Sequence, residues 1–366
     1  MKERILVLMF SLCSSLFCMA QIKGPQANEY VELMGILARS AGYPEYSKDV
    51  AGEYITDIDR HFKAYLNHPA VNCMKELRKK NGISYDAVMS MAIHMQYKDQ
   101  TFCLIEEETN TLDKRWEKVN KEEFFSLLTR FYQESRFNDF YKAHKALYDK
   151  GIAAYKEKVS KHLNTDWYTS FYGKEPQETY NIIIGFCNGT NNYGSNRQIK
   201  GKQKEIFAIV DYSVNKNQEP QYNKWYLSIL IHEFNHSFTN YLLDNNPNNI
   251  KALTNAGKYL YNILKWSMRQ QAYGNWKIMI NESLVRAAVI CYLIDNHYTQ
   301  EEIEKEICEQ LGYNFPWMPE LVTLLRSYRS QQDKFGSLEA FYPQIISFFN
   351  DYASKEKERI SKAINL

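Results

Sequence analysis

The sequence predicts an α+β fold, mainly helical, with a helical body and a small sheet directly before one central apolar helix. Three observations predict it. Apolar residues recur every three or four positions through most of the chain, as in "NEYVELMGILARSAG" and in nearly everything after Gln221. Two runs, "YNIIIGF" (180–186) and "EIFAIVDY" (205–212), are instead dense in β-branched and aromatic residues. The segment that follows them, "YLSILIHEFNHSFTNYLL" (226–243), is apolar on most faces yet carries His232, Glu233, Asn235 and His236 in its middle.

The chain opens with "MKERILVLMFSLCSSLFCMAQ", in which Lys2 and Arg4 precede an apolar run and a Cys18-Met19-Ala20 end. This pattern predicts a signal peptide over residues 1–20, cleaved near Ala20, and a periplasmic or secreted protein. The run is short for a bilayer span, and no later segment is long and apolar enough, so no stable membrane span is expected. Lipid attachment at Cys18 is disfavoured by the bulk of Phe17. Residues 21–165 read as a helical N-terminal region and 166–366 as the region holding the sheet and the histidines, either separately or as one continuous domain.

Helical periodicity runs from about Ala27 to Tyr97 with a break at Asn81-Gly82, and a short β-like stretch, "TFCLIEEE", follows. Residues 120–164 return to helix, with an interruption expected at Gly151. The two strands are joined by the polar segment "CNGTNNYGSNRQIKGKQK", read as an exposed loop over 187–204. Prolines in "NNPNN" and "YNFPWMPE" divide the later helices.

Composition narrows the function. A net charge of +2 arises from 45 basic and 43 acidic residues scattered along the chain, so no basic stripe exists to follow nucleic acid. Beyond Cys13 and Cys18 the cysteines are odd in number with no C-x-x-C pair, which argues against a thiolate metal site or a disulfide scaffold. His61, His68, His94, His144 and His162 have no mutual ligand spacing and read as core or surface residues.

His232 and His236 are different. Four residues apart on a helix, they project from one face and can reach one ion. Glu233 beside them is placed to take a proton from a water attacking a carbonyl, the H-E-x-x-H arrangement of zinc hydrolases. Ser228, His232, Asn235, His236 and Thr239 form a narrow polar stripe on this otherwise buried helix, and a cation is the partner that suits buried histidines and a carboxylate together. A third ligand is sought downstream. Metzincins continue with Gly and His where this chain has Thr239 and Leu242, which excludes that class. The next apolar helix, "IMINESLVRAAVICYLI" (278–294), contains Glu282, whose burial alone would be costly and which metal coordination would stabilise. Arg286, one turn on, is placed to orient Glu282 or to meet a substrate carboxylate, and Asn281 adjoins it. Asp244, Asp295 and His297, at helix ends, are alternatives for the third ligand.

"HEFNH" followed by "NESLVR" resembles the gluzincin group of zinc metallopeptidases. The resemblance covers about a third of the chain and implies a zincin-like fold, Zn2+ as cofactor, His232, His236 and Glu282 as ligands, and Glu233 as general base and acid. No counterpart of the G-x-M-E-N segment of aminopeptidases in that group is present, so exopeptidase action is not implied. "ELMGILARSAGYPEY" and "HPAVNCMKELRKKNGISYDAVMSMAIHM" look like an exported bacterial family of unassigned function. The expectation is an exported zinc-dependent peptidase acting on a peptide or protein, with the strand at 205–212 pairing with substrate and the loop 187–204 forming one cleft wall. The alternative is a noncatalytic cell-envelope protein that binds peptide or glycan and retains a vestigial metal site.

Overall fold

The computed structural model describes residues 22–364 apart from 106, 107 and 110. The expected signal peptide lies outside the described residues. The chain is 64% helical, with a mixed sheet and a separate small hairpin, so the mainly helical α+β reading is correct.

The chain enters through β1 (Ile22–Ala27) and then winds through α1 (Glu29–Ser40), α2 (Glu53–Phe62), α3 (Pro69–Asn81) and α4 (Asp86–His94). A hairpin of β2 (Met95–Lys98) and β3 (Thr101–Leu104), then β4 (Glu108–Thr109), leads to α5 (Lys121–Glu134), α6 (Phe137–Ala143), α7 (Lys145–Lys158) and α8 (Asp166–Tyr172). Next come the strands β5 (Thr179–Gly185), β6 (Tyr193–Ile199) and β7 (Glu205–Asp211). The remainder is α9 (Trp225–Asp244), α10 (Pro247–Gln270), α11 (Trp276–Asp295), α12 (Gln300–Gly312), α13 (Met318–Arg329), α14 (Gln332–Phe335) and α15 (Leu338–Ile364).

The sheet runs in the order β1-β5-β7-β6-β4, with β1, β5 and β7 parallel and β6 antiparallel to β7. Helices cover it, which is why β5 and β7 read as unbroken apolar runs and not as alternating ones. Tyr180 of β5 packs on Phe234 of α9 with ring centroids 4.6 Å apart. No helix of the described residues is long and apolar enough to cross a membrane.

Three local expectations are corrected. The segment read as the loop 187–204 contains β6, a polar strand that pairs with β7 over 193–197 and with β4 beyond, while Arg197 donates to Glu205. Its residues are mostly half-buried, so neither alternation nor β-branched density marks it. β1 went unread because Gly24 and Pro25 break the pattern; on an edge strand, where the register shifts between Lys23 and Gln26, a residue without an N–H is tolerated. Gly151 does not interrupt a helix but lies within α7, where a β-carbon would come 2.7 Å from the Phe186 ring. The chain breaks instead at Arg136, with a φ of 53°, before α6.

One buried carboxylate ties α1 to the sheet. Glu32 is 1% exposed and accepts from the Phe186 N–H at 2.7 Å and the Tyr54 hydroxyl at 2.9 Å. Burial pushes its carboxyl from 4.5 up to about 7, against the pull of those donors. Between these values the native state holds a proton that the unfolded chain releases. This contribution to stability is therefore complete below pH 4.5 and lost as pH rises through 7, to a total of ~3 kcal/mol. Glu32→Gln, which cannot titrate, is expected to lose less melting temperature than the parent between pH 5 and pH 8 in thermal unfolding, and equal slopes would contradict it.

Candidate metal centre

The three residues singled out as ligands meet. His232 and His236 extend from α9 toward α11, which supplies Glu282. The two Nε2 atoms are 3.2 Å apart, His232 Nε2 is 3.6 Å from Glu282 Oε2, and His236 Nε2 is 3.5 Å from Glu282 Oε1. One ligand atom from each of the three lies within 4.8 Å of the others.

The helices that carry them are held on both sides. Asn235 and Thr239, expected in a polar stripe with the histidines, are fully buried. Asn235 Nδ2 donates to the Val285 carbonyl of α11 at 3.3 Å, and Thr239 bonds back to the Asn235 carbonyl. On another face of α9, Phe238 stacks on Tyr172 with centroids 4.5 Å apart. The start of α11 is set by Asn275, whose side chain accepts from the N–H groups of Lys277 and Ile278.

A second tier of polar groups orients the donors. His236 Nδ1 faces Asn240 Oδ1 at 3.2 Å; we assign the proton to Nδ1, which leaves the Nε2 lone pair directed at the shared point. The Tyr273 hydroxyl donates to Glu282 Oε2 at 3.0 Å and accepts from Arg286 Nη2 at 2.7 Å. Arg286 Nε lies 3.4 Å from the same carboxylate oxygen, and Nη1 donates to Gln310 Oε1 at 2.6 Å. Arg286 thus orients Glu282. Its guanidinium is engaged by Glu282, Tyr273 and Gln310, the first of the two roles the sequence offered it. Asn281 is buried and donates to Asp244 Oδ2 at 2.9 Å, so it steadies a cleft carboxylate and touches no ligand.

The other candidates for the third ligand lie elsewhere. Asp295 pairs with Arg326 and Arg329 and accepts from Trp167 Nε1. His297 lines a separate depression with Lys158 and His162. The remaining histidines fit their bland reading: His61, His94 and His144 each bond a backbone carbonyl, and His68 caps α3. No cysteine among the described residues is bridged.

Burial drives the His232 imidazole down to about 3, so the ring is neutral, the form that ligates metal. Burial would raise Glu282, but the histidines, Arg286 and the Tyr273 hydroxyl outweigh it and hold the carboxyl at about 2. Two imidazole nitrogens and one carboxylate converging on a point are a donor set that could hold a divalent metal ion such as zinc, and three such donors meet there among the described residues, which would leave a position open. That position faces a cleft of about 770 Å³.

Glu233 also lines the cleft, where burial raises its carboxyl to about 7. No hydrogen bond or ion pair of the described residues holds it. Its neighbour is Gly194 of β6, where a β-carbon would stand 2.1 Å from Glu233 Oε2. The absence of a side chain at 194 makes room for the carboxylate. β6 therefore forms much of the cleft wall, with Ile206 of β7 beside it; β7 is paired on both sides and has no edge to offer a substrate, contrary to expectation.

Tyr273, Asn240 and Gly194 escaped the sequence. Asn240 had a usable signal, four residues beyond His236 on the same face. Tyr273 sits in the turn between α10 and α11, and Gly194 on an unrecognised strand, where spacing carries no information.

No curated protein and no solved structure matches the chain. One family does, over residues 25–348, from the middle of β1 into α15. With most of the sheet, both helices that carry the candidate ligands and the cleft inside that span, the chain belongs to the family described as a domain of unknown function (DUF4932).

Proposed function

We propose that the chain is an exported zinc-dependent peptidase of gluzincin type, acting on peptide or protein substrates in the periplasm or outside the cell. The observation that carries the reading is the convergence of His232 Nε2, His236 Nε2 and the Glu282 carboxylate on one point at the floor of an open cleft. His232, His236 and Glu282 would hold a zinc ion there, and that ion would supply Lewis acidity at the scissile carbonyl. Glu233 takes the proton from the attacking water on a carboxylate oxygen and passes it to the departing amine. Arg286 and Tyr273 keep Glu282 ionised and in place, and Asn240 keeps the His236 lone pair aimed inward. A metal serving only the fold would gain nothing from a carboxylate set into the cleft wall beside the ligands, and structural zinc sites use four protein ligands where three converge among the described residues.

The test is hydrolysis of a mixed peptide library by the protein with zinc added and with zinc removed by a chelator. Cleavage that appears with zinc and disappears with the chelator supports the reading; no cleavage in either condition contradicts it.

Gly194→Ala adds a methyl group where Glu233 Oε2 now lies, so the carboxylate must move. Displacing a catalytic group by about 1 Å costs on the order of a hundredfold in rate, and that loss is expected with zinc content unchanged. Parent-like turnover in the variant would show that Glu233 does not depend on this contact.

A further inference from the structure

We infer that Tyr85 is a substrate-contacting residue at the cleft, offering its ring face to a ring-bearing residue of an extended peptide; the inference rests on the peptidase reading of the metal centre. Tyr85 precedes α4 with φ 49° and ψ −126°, a conformation that favours glycine. The chain itself supplies the comparison. α2 starts from nearly the same geometry, φ 59° and ψ −129°, and the residue there is Gly52.

The strained backbone at 85 is held from below by buried groups. Glu45 Oε1 accepts the Tyr85 N–H at 3.1 Å, and the Tyr46 hydroxyl donates to the Tyr85 carbonyl at 2.7 Å. Glu45 is itself buried and paired with Arg78 at 2.5 Å. The buried Tyr46 ring stacks on Tyr193 of the cleft wall, with centroids 6.0 Å apart. All this support ends in a side chain that is 47% exposed and lines the cleft holding Glu233 and the three ligands.

A half-exposed ring contributes little to the core, and the conformation works against it. Strain of this kind persists at positions where the presented side chain is used. An aromatic face of this sort packs on another ring: a proline or aromatic side chain, or a sugar carried by the peptide. Of the other tyrosines lining the cleft, Tyr193 is buried and Tyr241 and Tyr273 are half-buried; the rest of the wall is charged, as at Asp86, Arg115, Lys204 and Asp244, or amide and hydroxyl, with Ile206 and Ala272 as its aliphatic members. Such a wall suits peptide backbone and polar or charged side chains, which leaves Tyr85, the exposed ring of the cleft, as the place where a ring-bearing residue is recognised.

Cleavage-site profiling of a mixed peptide library, with a parallel set of glycopeptides, tests this on the zinc-loaded full chain using Tyr85→Gly and Tyr85→Phe. The parent is expected to enrich a ring-bearing residue at one position, and the glycopeptide arm tells a sugar from a side chain as its source. Tyr85→Gly is expected to lose that enrichment and about tenfold in kcat/KM on the preferred peptides. Its melting temperature is expected to equal or exceed the parent's, because glycine accepts the backbone without strain. Tyr85→Phe keeps the enrichment. A Tyr85→Gly profile identical to the parent's overturns this inference alone. A parent that cleaves nothing in either set overturns the peptidase reading and this inference with it.

Discussion

Glu282→Ala is expected to lose most bound zinc and to be less stable even without metal. Two histidines one turn apart hold zinc weakly, and the carboxylate both completes the ligand set and offsets part of the ion's charge at a buried site. Loss of an orienting partner alone typically costs ~10- to 100-fold in metal affinity, and losing the ligand itself is expected to cost more. The apo protein suffers separately. Arg286 is largely shielded from solvent and ion-paired to Glu282, and removing one partner of such a pair leaves an uncompensated charge, at a cost of up to ~3–5 kcal/mol where the pair is fully buried. Glu282→Gln separates the two effects, since the amide keeps the size and can still accept from Tyr273 while ligating poorly. Asp244→Ala, at a carboxylate that lines the cleft without joining the donor cluster, is the control and is expected to keep its zinc. Zinc titration and thermal unfolding of the three variants read both parts. Stoichiometric, parent-like zinc binding in Glu282→Ala would mean that the third ligand lies elsewhere.

Glu233→Gln is expected to bind zinc like the parent and to lose peptide hydrolysis by a factor of roughly a hundred to ten thousand. The amide preserves the volume that Gly194 leaves free, so the fold and the cleft wall are undisturbed. What it removes is the ability to accept a proton. The loss should therefore fall on kcat, with KM nearly unchanged. Equal turnover by parent and variant on the peptide library would contradict a general-base role for Glu233.

Residues whose meaning depends on their own helix were legible in the sequence. The i, i+4 spacing of His232 and His236 survives any arrangement of the rest of the chain. Glu282 stood out because a lone carboxylate in an apolar helix requires a partner, whatever that partner is. Arg286 was half legible: its distance from Glu282 along α11 follows from the helix, but the rest of its bonding depends on Tyr273 and Gln310, which come from other segments. β6 was hidden because its residues earn their place by pairing with β7 and by bordering a cleft, where polar side chains are an advantage and no periodic apolar face develops. The assignment of β7 as a substrate-pairing edge failed for the same reason, since a strand's edge is free only if no neighbour takes it. Gly151 was taken for a helix break because glycine weakens helices. Its role is to let α7 pass close to Phe186 and Tyr212, a long-range contact with no local signature.

The central claim is that His232, His236 and Glu282 hold one zinc ion, and a crystal structure of the zinc-loaded protein with anomalous data at the zinc edge tests it most directly. The expected result is one strong anomalous peak between α9 and α11, with both Nε2 atoms and a Glu282 oxygen at ~2.0–2.2 Å. A peak at any other cluster of side chains, or none between these helices at saturating zinc, would contradict the account.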